Sequence, residues 1–239
     1  MGSFWNDLSL QFYNAFLYKD RWTQYVEGLG RTLQVTVMAL ILGVILGVVV
    51  AVLRSAHDQQ RVGRHNPALG IINAVCLVYT TVIRGTPMMV QLLIMGSVIF
   101  ASSRNFTLVG ALTLGINSGA YVAEIVRSGL MSVDPGQMEA GRSLGLGYAT
   151  TMRDIVIPQA LKNILPALGN EFITLLKDTS LITVIAGKEL LYAAQAIYAK
   201  TYAPMVPLLI TAVMYLVVVL LFTWLLGMLE RRMRQSDKR

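Results

Sequence analysis

LQVTVMALILGVILGVVVAVL, Leu33–Leu53, is 21 residues without a single charge. As a helix rising 1.5 Å per residue it covers about 30 Å, the thickness of a bilayer's hydrocarbon core. Met205–Leu229 does the same over 25 residues. The surrounding composition agrees, with 55% hydrophobic and only 14% charged residues in a chain of 239 and a mean hydropathy of +0.59, which is too apolar for a water-soluble domain. Helices satisfy their own backbone groups in lipid, so the fold class expected is an all-α integral membrane protein.

Three more apolar segments lie between these two. The second, Ile71–Ala101, is broken by Arg84-Gly85-Thr86-Pro87; unbroken it would run about 46 Å, more than a bilayer needs, so part of it must kink or lie obliquely. The third is Phe106–Val126, and the fourth runs from about Ile164 to Ile185 with Glu171, Lys177 and Asp178 inside it. Five spans put the termini on opposite sides. With the C-terminus inside, the inner segments hold twelve Lys and Arg and the outer ones six, so the positive-inside rule favours N-out, C-in. The organisation expected is an external segment over residues 1–30, a transmembrane domain over 31–230 and a basic cytoplasmic tail over 231–239.

The formal charge of +7 would suggest nucleic acid for a soluble chain. Here the basic residues flank apolar runs, where they orient helices, so no nucleic-acid partner is expected. The single Cys76 closes no intramolecular disulfide, and His57 and His65 share a polar stretch without a cysteine or carboxylate cluster, so no metal site is expected. Residues 1–30 mix Trp5, Asp7, Lys19, Asp20, Arg21 and Glu27 and lack the basic and apolar regions of a cleavable signal peptide. The first span is therefore expected to stay in the membrane.

One long inner connection, about residues 131–161, is left between the third and fourth spans. Asp134-Pro135-Gly136 signals a helix start, Gly145 and Gly147 interrupt, and Pro158 precedes re-entry, so a short helix pair on the cytoplasmic face is expected. It reads Glu139-Ala140-Gly141-Arg142-Ser143-Leu144-Gly145, nine residues, then Ile155-Val156-Ile157-Pro158. Here the chain resembles the permease subunits of bacterial ABC importers, whose signature is Glu-Ala-Ala, three residues, Gly, nine residues, Ile, one residue, Leu-Pro. Gly141 stands for the second Ala and Ile157 for Leu; every spacing matches. Small Ala140 and Gly141 suit close approach of a partner surface, and Glu139 and Arg142 suit charged contacts at its edge.

Three further strings resemble the polar-amino-acid subfamily: Arg84 to Gln91, Gly119 to Arg127, and Asn170 to Leu181. The resemblance implies a type I importer fold with five transmembrane helices and a cytoplasmic coupling loop that docks on an ATP-binding subunit. It further implies a second permease subunit, identical or homologous, two ATP-binding subunits that use ATP and Mg, an extracytoplasmic amino-acid-binding protein, and a place in the bacterial inner membrane among its lipids. The chain itself carries no catalytic residues and no cofactor. Gly187-Lys188 is followed by Glu189, and Ile182 stands where a phosphate-cradling loop requires Gly. A secondary transporter would show an internal repeat and its own coupling-ion site, and neither is visible.

The substrate-cavity candidates are Arg84, Thr86, Gln91, Asn117, Tyr121, Glu171 and Thr174. Pro87 and Gly85 free backbone groups that need protein or water around them, and an intramembrane Arg is a functional candidate; snorkelling of Arg84 to the inner interface is the alternative. Glu171 lies nine residues beyond Lys162, about 13 Å deep. A carboxylate there either faces a watery cavity, meeting a substrate ammonium or cationic side chain, or pairs with Arg84. Asn117 and Tyr121 share a face at i, i+4, whereas Glu124 and Arg127 at i, i+3 read as a structural pair. Asn117, Thr174, Thr179 and Ser180 also suit helix-to-helix hydrogen bonding, and Lys177-Asp178 is placed toward the outer face as a candidate gate. Glu171 leans toward a basic amino acid (arginine, lysine or histidine), with glutamine, glutamate, cystine or an opine as alternatives.

Overall fold

The computed structural model describes residues 2–58 and 66–235, and every regular element among them is helical. In chain order the helices are α1 (Gly2–Phe12), α2 (Trp22–Asp58), α3 (Pro67–Gly85), α4 (Met88–Ile94), α5 (Phe106–Met131), α6 (Pro135–Ser143), α7 (Tyr148–Thr151), α8 (Ile157–Asp178), α9 (Leu190–Thr201) and α10 (Met205–Gln235). Four are long and apolar enough to cross a membrane, namely α2, α3, α5 and α10. The bent pair Tyr148–Ile185 and Leu190–Thr201 makes up to five.

The helix ends follow local chemistry. Asn66 caps α3 by accepting the Ala68 N–H at 3.0 Å, with Pro67 in the first turn. The helix stops where Pro87 forces Thr86 out of the helical region, to φ −114° and ψ 144°. Asp134 caps α6 through the Gly136 N–H at 2.8 Å. α8 follows without a break from a wider helical turn at Met152–Val156 and carries Pro158 just after it and Pro166 in its interior. α2 begins at Trp22, well before the apolar run. α8 likewise begins at Ile157, ahead of Ile164. α9, bent 46° from the helix before it, is buried or half-buried over most of its length and carries Lys200 in its last turn, and the hydropathy pattern does not single it out. His65, Arg61 and Arg64 of the orientation argument, and Lys238 and Arg239 of the basic tail, lie outside the described residues.

The chain divides into two compact units. The first comprises Met1–Ala39, Pro87–Gly115 and Ile173–Thr223. Its core gathers Tyr25, Leu190, Ala194, Ile197 and Val206. Glu189, 1% exposed, sits at the start of α9 among α2 and α10. It accepts hydrogen bonds from the Tyr215 hydroxyl at 2.5 Å, the Tyr192 N–H at 2.7 Å and, more weakly, the Thr32 hydroxyl at 3.4 Å. Gly96 and Gly110 meet Ile185 and Ile182 so closely that a methyl group would clash.

The second unit comprises Leu40–Thr86, Ile116–Phe172 and Trp224–Arg239, with Ala51, Val122, Val126, Ala160 and Ile164 as its core. Gly43 and Gly47 lie against Ser118 and Val122 of α5, so the small-xxx-small spacing on α2 is a helix-packing device. Gly129 faces Ile164 in the same manner. Many large apolar side chains point outward, among them Ile41, Ile45, Val52 and Trp224, a surface that lipid rather than water would cover.

Candidate functional site

Polar groups in the second unit gather along one face of α5. Tyr121, Glu124 and Ser128 recur at three and four residues, and Ser132 follows just past the helix end, so all four look the same way. With Arg84 from the end of α3 and Asn163 from α8 they line a cavity of about 330 Å³. The Arg84 guanidinium lies 5.3 Å from the centre of the Tyr121 ring, within cation–π range, and 3.8 Å from Glu124. Arg84 and Tyr121, two of the expected cavity residues, are thus brought together.

Glu124 is shared. Arg54 and Arg84 each approach one of its oxygens at 3.8 Å, and Arg127 approaches the other at 3.6 Å while also reaching Asp58 at 3.8 Å. These separations are long for hydrogen bonds, and the Nε atoms of Arg54 and Arg127 are buried with no hydrogen-bond partner. Three guanidiniums against two carboxylates leave the cluster positive, suited to a carboxylate-bearing ligand. The pair Glu124 and Arg127 forms as expected, but within a network wider than one helix.

The Glu171 carboxylate, half-buried, accepts the Ser118 hydroxyl at 2.7 Å. A carboxylate that does stand beside Arg84 is Glu124, at 3.8 Å. Glu124 had been read as structural because its neighbour Arg127 offered a local explanation. The signal that would have placed it in the cavity is its register with Tyr121, Ser128 and Ser132. Asn117 is half-buried on α5, and exposed Thr86 donates to the Val82 carbonyl at 2.8 Å across the end of α3. Gln91 and Thr174 belong to the first unit, Gln91 half-buried and Thr174 exposed.

The connection between α5 and α8 folds as a short helix pair, α6 and α7. Glu139, Ala140, Arg142, Ser143 and Leu144 are exposed, Leu144 at 80%. Gly145 turns the chain at φ +82°, a conformation a side chain would strain. Gly141 departs from expectation. It is buried, and a methyl group built on it would stand 2.5 Å from the Thr151 methyl. Its smallness serves packing of α6 on α7 within the chain. Gln159 on α8 donates to Gln137 at 3.2 Å and Asn163 to Ser132 at 2.8 Å, so α8 is tied by side chains both to α6 and to the cavity. Among the described residues no group of three or more His, Cys, Asp or Glu gathers as metal ligands would.

Residues 67–235 match the family described as binding-protein-dependent transport system inner membrane component. The chain is 35% identical over 183 residues to the putative glutamine transport system permease protein GlnP of Rickettsia bellii, covering 69% of this chain and 83% of that one. It is 38% identical over 186 residues to the arginine transport system permease protein ArtQ of Bacillus subtilis, covering 71% and 84%. Against the glutamine transport system permease protein GlnP of Escherichia coli K12 it is 40% identical over 171 residues, covering 69% and 77%. Among solved structures, an amino acid ABC transporter with histidines matches with a TM-score of 0.79 and 42% identity, covering 88% of this chain and 94% of that one. The inward-facing MetNI methionine ABC transporter, at 20% identity and a TM-score of 0.72 over 90% and 98% of the two chains, shares the fold.

Proposed function

Since the chain belongs to the family of binding-protein-dependent transport system inner membrane components, we propose that it is the permease subunit of an ABC importer that carries polar amino acids into the cytoplasm. ATP and Mg are used by two partner ATP-binding subunits, and this chain contributes the path. The observation that carries the reading is the cavity in which Arg84, Tyr121 and Glu124 meet in an otherwise apolar helical protein. Ionic groups in a membrane-spanning chain pair with one another or face a watery cavity that marks a substrate path; here three guanidiniums outnumber two carboxylates, and a zwitterionic amino acid offers a carboxylate to the guanidiniums and an ammonium to a carboxylate. The names of relatives that move glutamine and arginine support the class.

In this reading Glu171 contacts the substrate ammonium or a cationic side chain, while Thr86, Gln91, Asn117 and Thr174 contribute polar contacts along the path. The exposed edge of α6, from Glu139 to Gly145, meets the ATP-binding subunit, and the links from Gln159 and Asn163 pass its displacement to α8. A second permease copy or homologue completes the path, a binding protein delivers substrate to the outer face, and each state is favoured by differential contacts with ATP and with the loaded binding protein. Residues 131–161 are the coupling loop of a transmembrane domain spanning 31–230, with the N-terminus outside and the C-terminus in the cytoplasm.

The test is ATP-driven uptake into proteoliposomes holding this chain with its genomic-neighbour ATPase and binding protein, against a panel of labelled amino acids. Selective uptake of a basic amino acid, weakened in Glu171→Gln, is the expected result. Uptake of a neutral or acidic amino acid with unchanged selectivity in Glu171→Gln would keep the importer and return Glu171 to a structural role. An assembled complex that moves no amino acid would overturn the reading.

A further inference from the structure

In the first unit a cavity of about 610 Å³ opens between the N-terminal segment, the start of α2 and the start of α10. Its volume falls within the range of small-molecule sites. Phe12 and Phe16 form one wall, Trp22 and Val26 a second, Leu209 and Val213 a third, and every lining residue is apolar or aromatic. Phe12, Trp22, Val26, Leu209 and Val213 are each more than two-fifths exposed, so the groove stands open. Polar substrate chemistry has no place in it.

One end of the groove differs. Trp22 is the first residue of α2, and the turn just before it carries Tyr18, Lys19, Asp20 and Arg21. The Lys19 ammonium and the Arg21 guanidinium both sit over the Tyr18 ring, 5.4 and 5.2 Å from its centre. Arg21 also donates to the Asn14 carbonyl, which ties the turn to the segment that walls the groove. Lys19 and Asp20 adopt positive φ, 50° and 54°, so the turn is held in a conformation that ordinary residues avoid. Asp20 offsets one of the two cations and leaves the turn net positive. Trp22 lines the groove, and the residues just before it in the chain add the Tyr18 ring with its two cations. A phospholipid presents the complementary order of acyl chain, ester region and phosphate, and interfacial aromatics take the middle level.

We infer that this groove holds an acyl chain of an anionic phospholipid whose phosphate meets Lys19 and Arg21. The occupant is a lipid rather than a second copy of the chain, because an apolar helix face would fill the walls but leave the net positive charge of the turn without a counter-charge. The site is separate from the polar cavity and independent of which solute is carried.

The experiment is native mass spectrometry of the assembled complex, equilibrated in detergent with equal phosphatidylglycerol and phosphatidylethanolamine. The wild type is expected to retain phosphatidylglycerol preferentially. Lys19→Gln removes one cation without touching the walls and should lower that preference about fivefold, the equivalent of roughly 1 kcal/mol per basic residue at an anionic surface. Val213→Trp, which fills the groove, should lower retention of both lipids. Where Val213→Trp does not assemble, Val213→Cys with a photoreactive acyl-chain lipid reports on the same wall, and labelling there is the expected result. Equal retention across wild type and Lys19→Gln would overturn the inference. So would permease-to-permease cross-links through Val213→Cys in place of lipid labelling, since a second copy would then cover the groove.

Discussion

Tyr215→Phe separates a hydrogen bond from the packing around it. The ring is kept, so no cavity opens, and only the hydroxyl 2.5 Å from the buried Glu189 side chain is lost. Glu189 keeps the Tyr192 N–H at 2.7 Å and the long contact from Thr32 at 3.4 Å, neither of which replaces the missing donor. Leaving a buried acceptor short of its partner costs about 1–3 kcal/mol, and for a chain of this size each kcal/mol moves the thermal midpoint by roughly 2–4 °C. A fall of roughly 4–8 °C is therefore expected for a loss of about 2 kcal/mol. Tyr25→Phe is the internal control: Tyr25 is fully buried in the same unit, but its hydroxyl has no hydrogen-bond partner, so its removal should leave the midpoint unchanged or raise it. The assay is thermal unfolding of the purified protein in one detergent, read by intrinsic fluorescence, with Glu189→Gln completing a double-mutant cycle. A coupling of about 1–2 kcal/mol between Tyr215 and Glu189 is expected. Equal losses for the two tyrosine variants, or additive Tyr215 and Glu189 variants, would refute the argument that this contact pins α10 to the start of α9.

Gly141→Ala should destabilise the α6 and α7 pair by about 1–3 kcal/mol, because its methyl would stand 2.5 Å from that of Thr151; Thr151→Ala should restore much of the loss. ATP hydrolysis by the assembled transporter measures both, and a Gly141→Ala variant as active and as stable as wild type would remove Thr151 as the cause. On α2, Gly47→Ala places a methyl 2.6 Å from Val122 and should lower the thermal midpoint, whereas Gly30→Ala meets nothing within 4 Å and should raise it slightly through helix propensity. Identical responses at the two positions would deny that α2 packs on α5 through Gly47.

Hydropathy and charge were enough to recognise a membrane-spanning helical protein, because burial in lipid demands uninterrupted apolar length and that property is local in sequence. The break at Thr86 was equally legible, since Pro87 acts on its neighbour through covalent geometry. Helix ends were less so: Trp22 and Ile157 begin their helices where polar residues continue a helical path that hydropathy does not register. The candidate site was read in part. Arg84 and Tyr121 were chosen for their chemistry and do meet, but Glu124, which stands 3.8 Å from Arg84, was not among the residues chosen. Two carboxylates at suitable depth on different helices look alike until helix rotation and packing decide which of them faces the guanidinium.

Gly141 illustrates the same division. Sequence spacing placed it in the segment that meets a partner, and only the tertiary structure shows Thr151 occupying the space above it. Glu189 went unnoticed because its three partners lie on α2, α9 and α10, up to 157 residues away. What one stretch of chain determines alone is helix, break and cap, through backbone sterics and the cost of exposing polar groups to lipid. Which side chains share a cavity or a buried bond depends on the rotation and depth at which distant helices pack, and that is decided only when close-packed surfaces such as Gly43 and Gly47 on α5 lock into register.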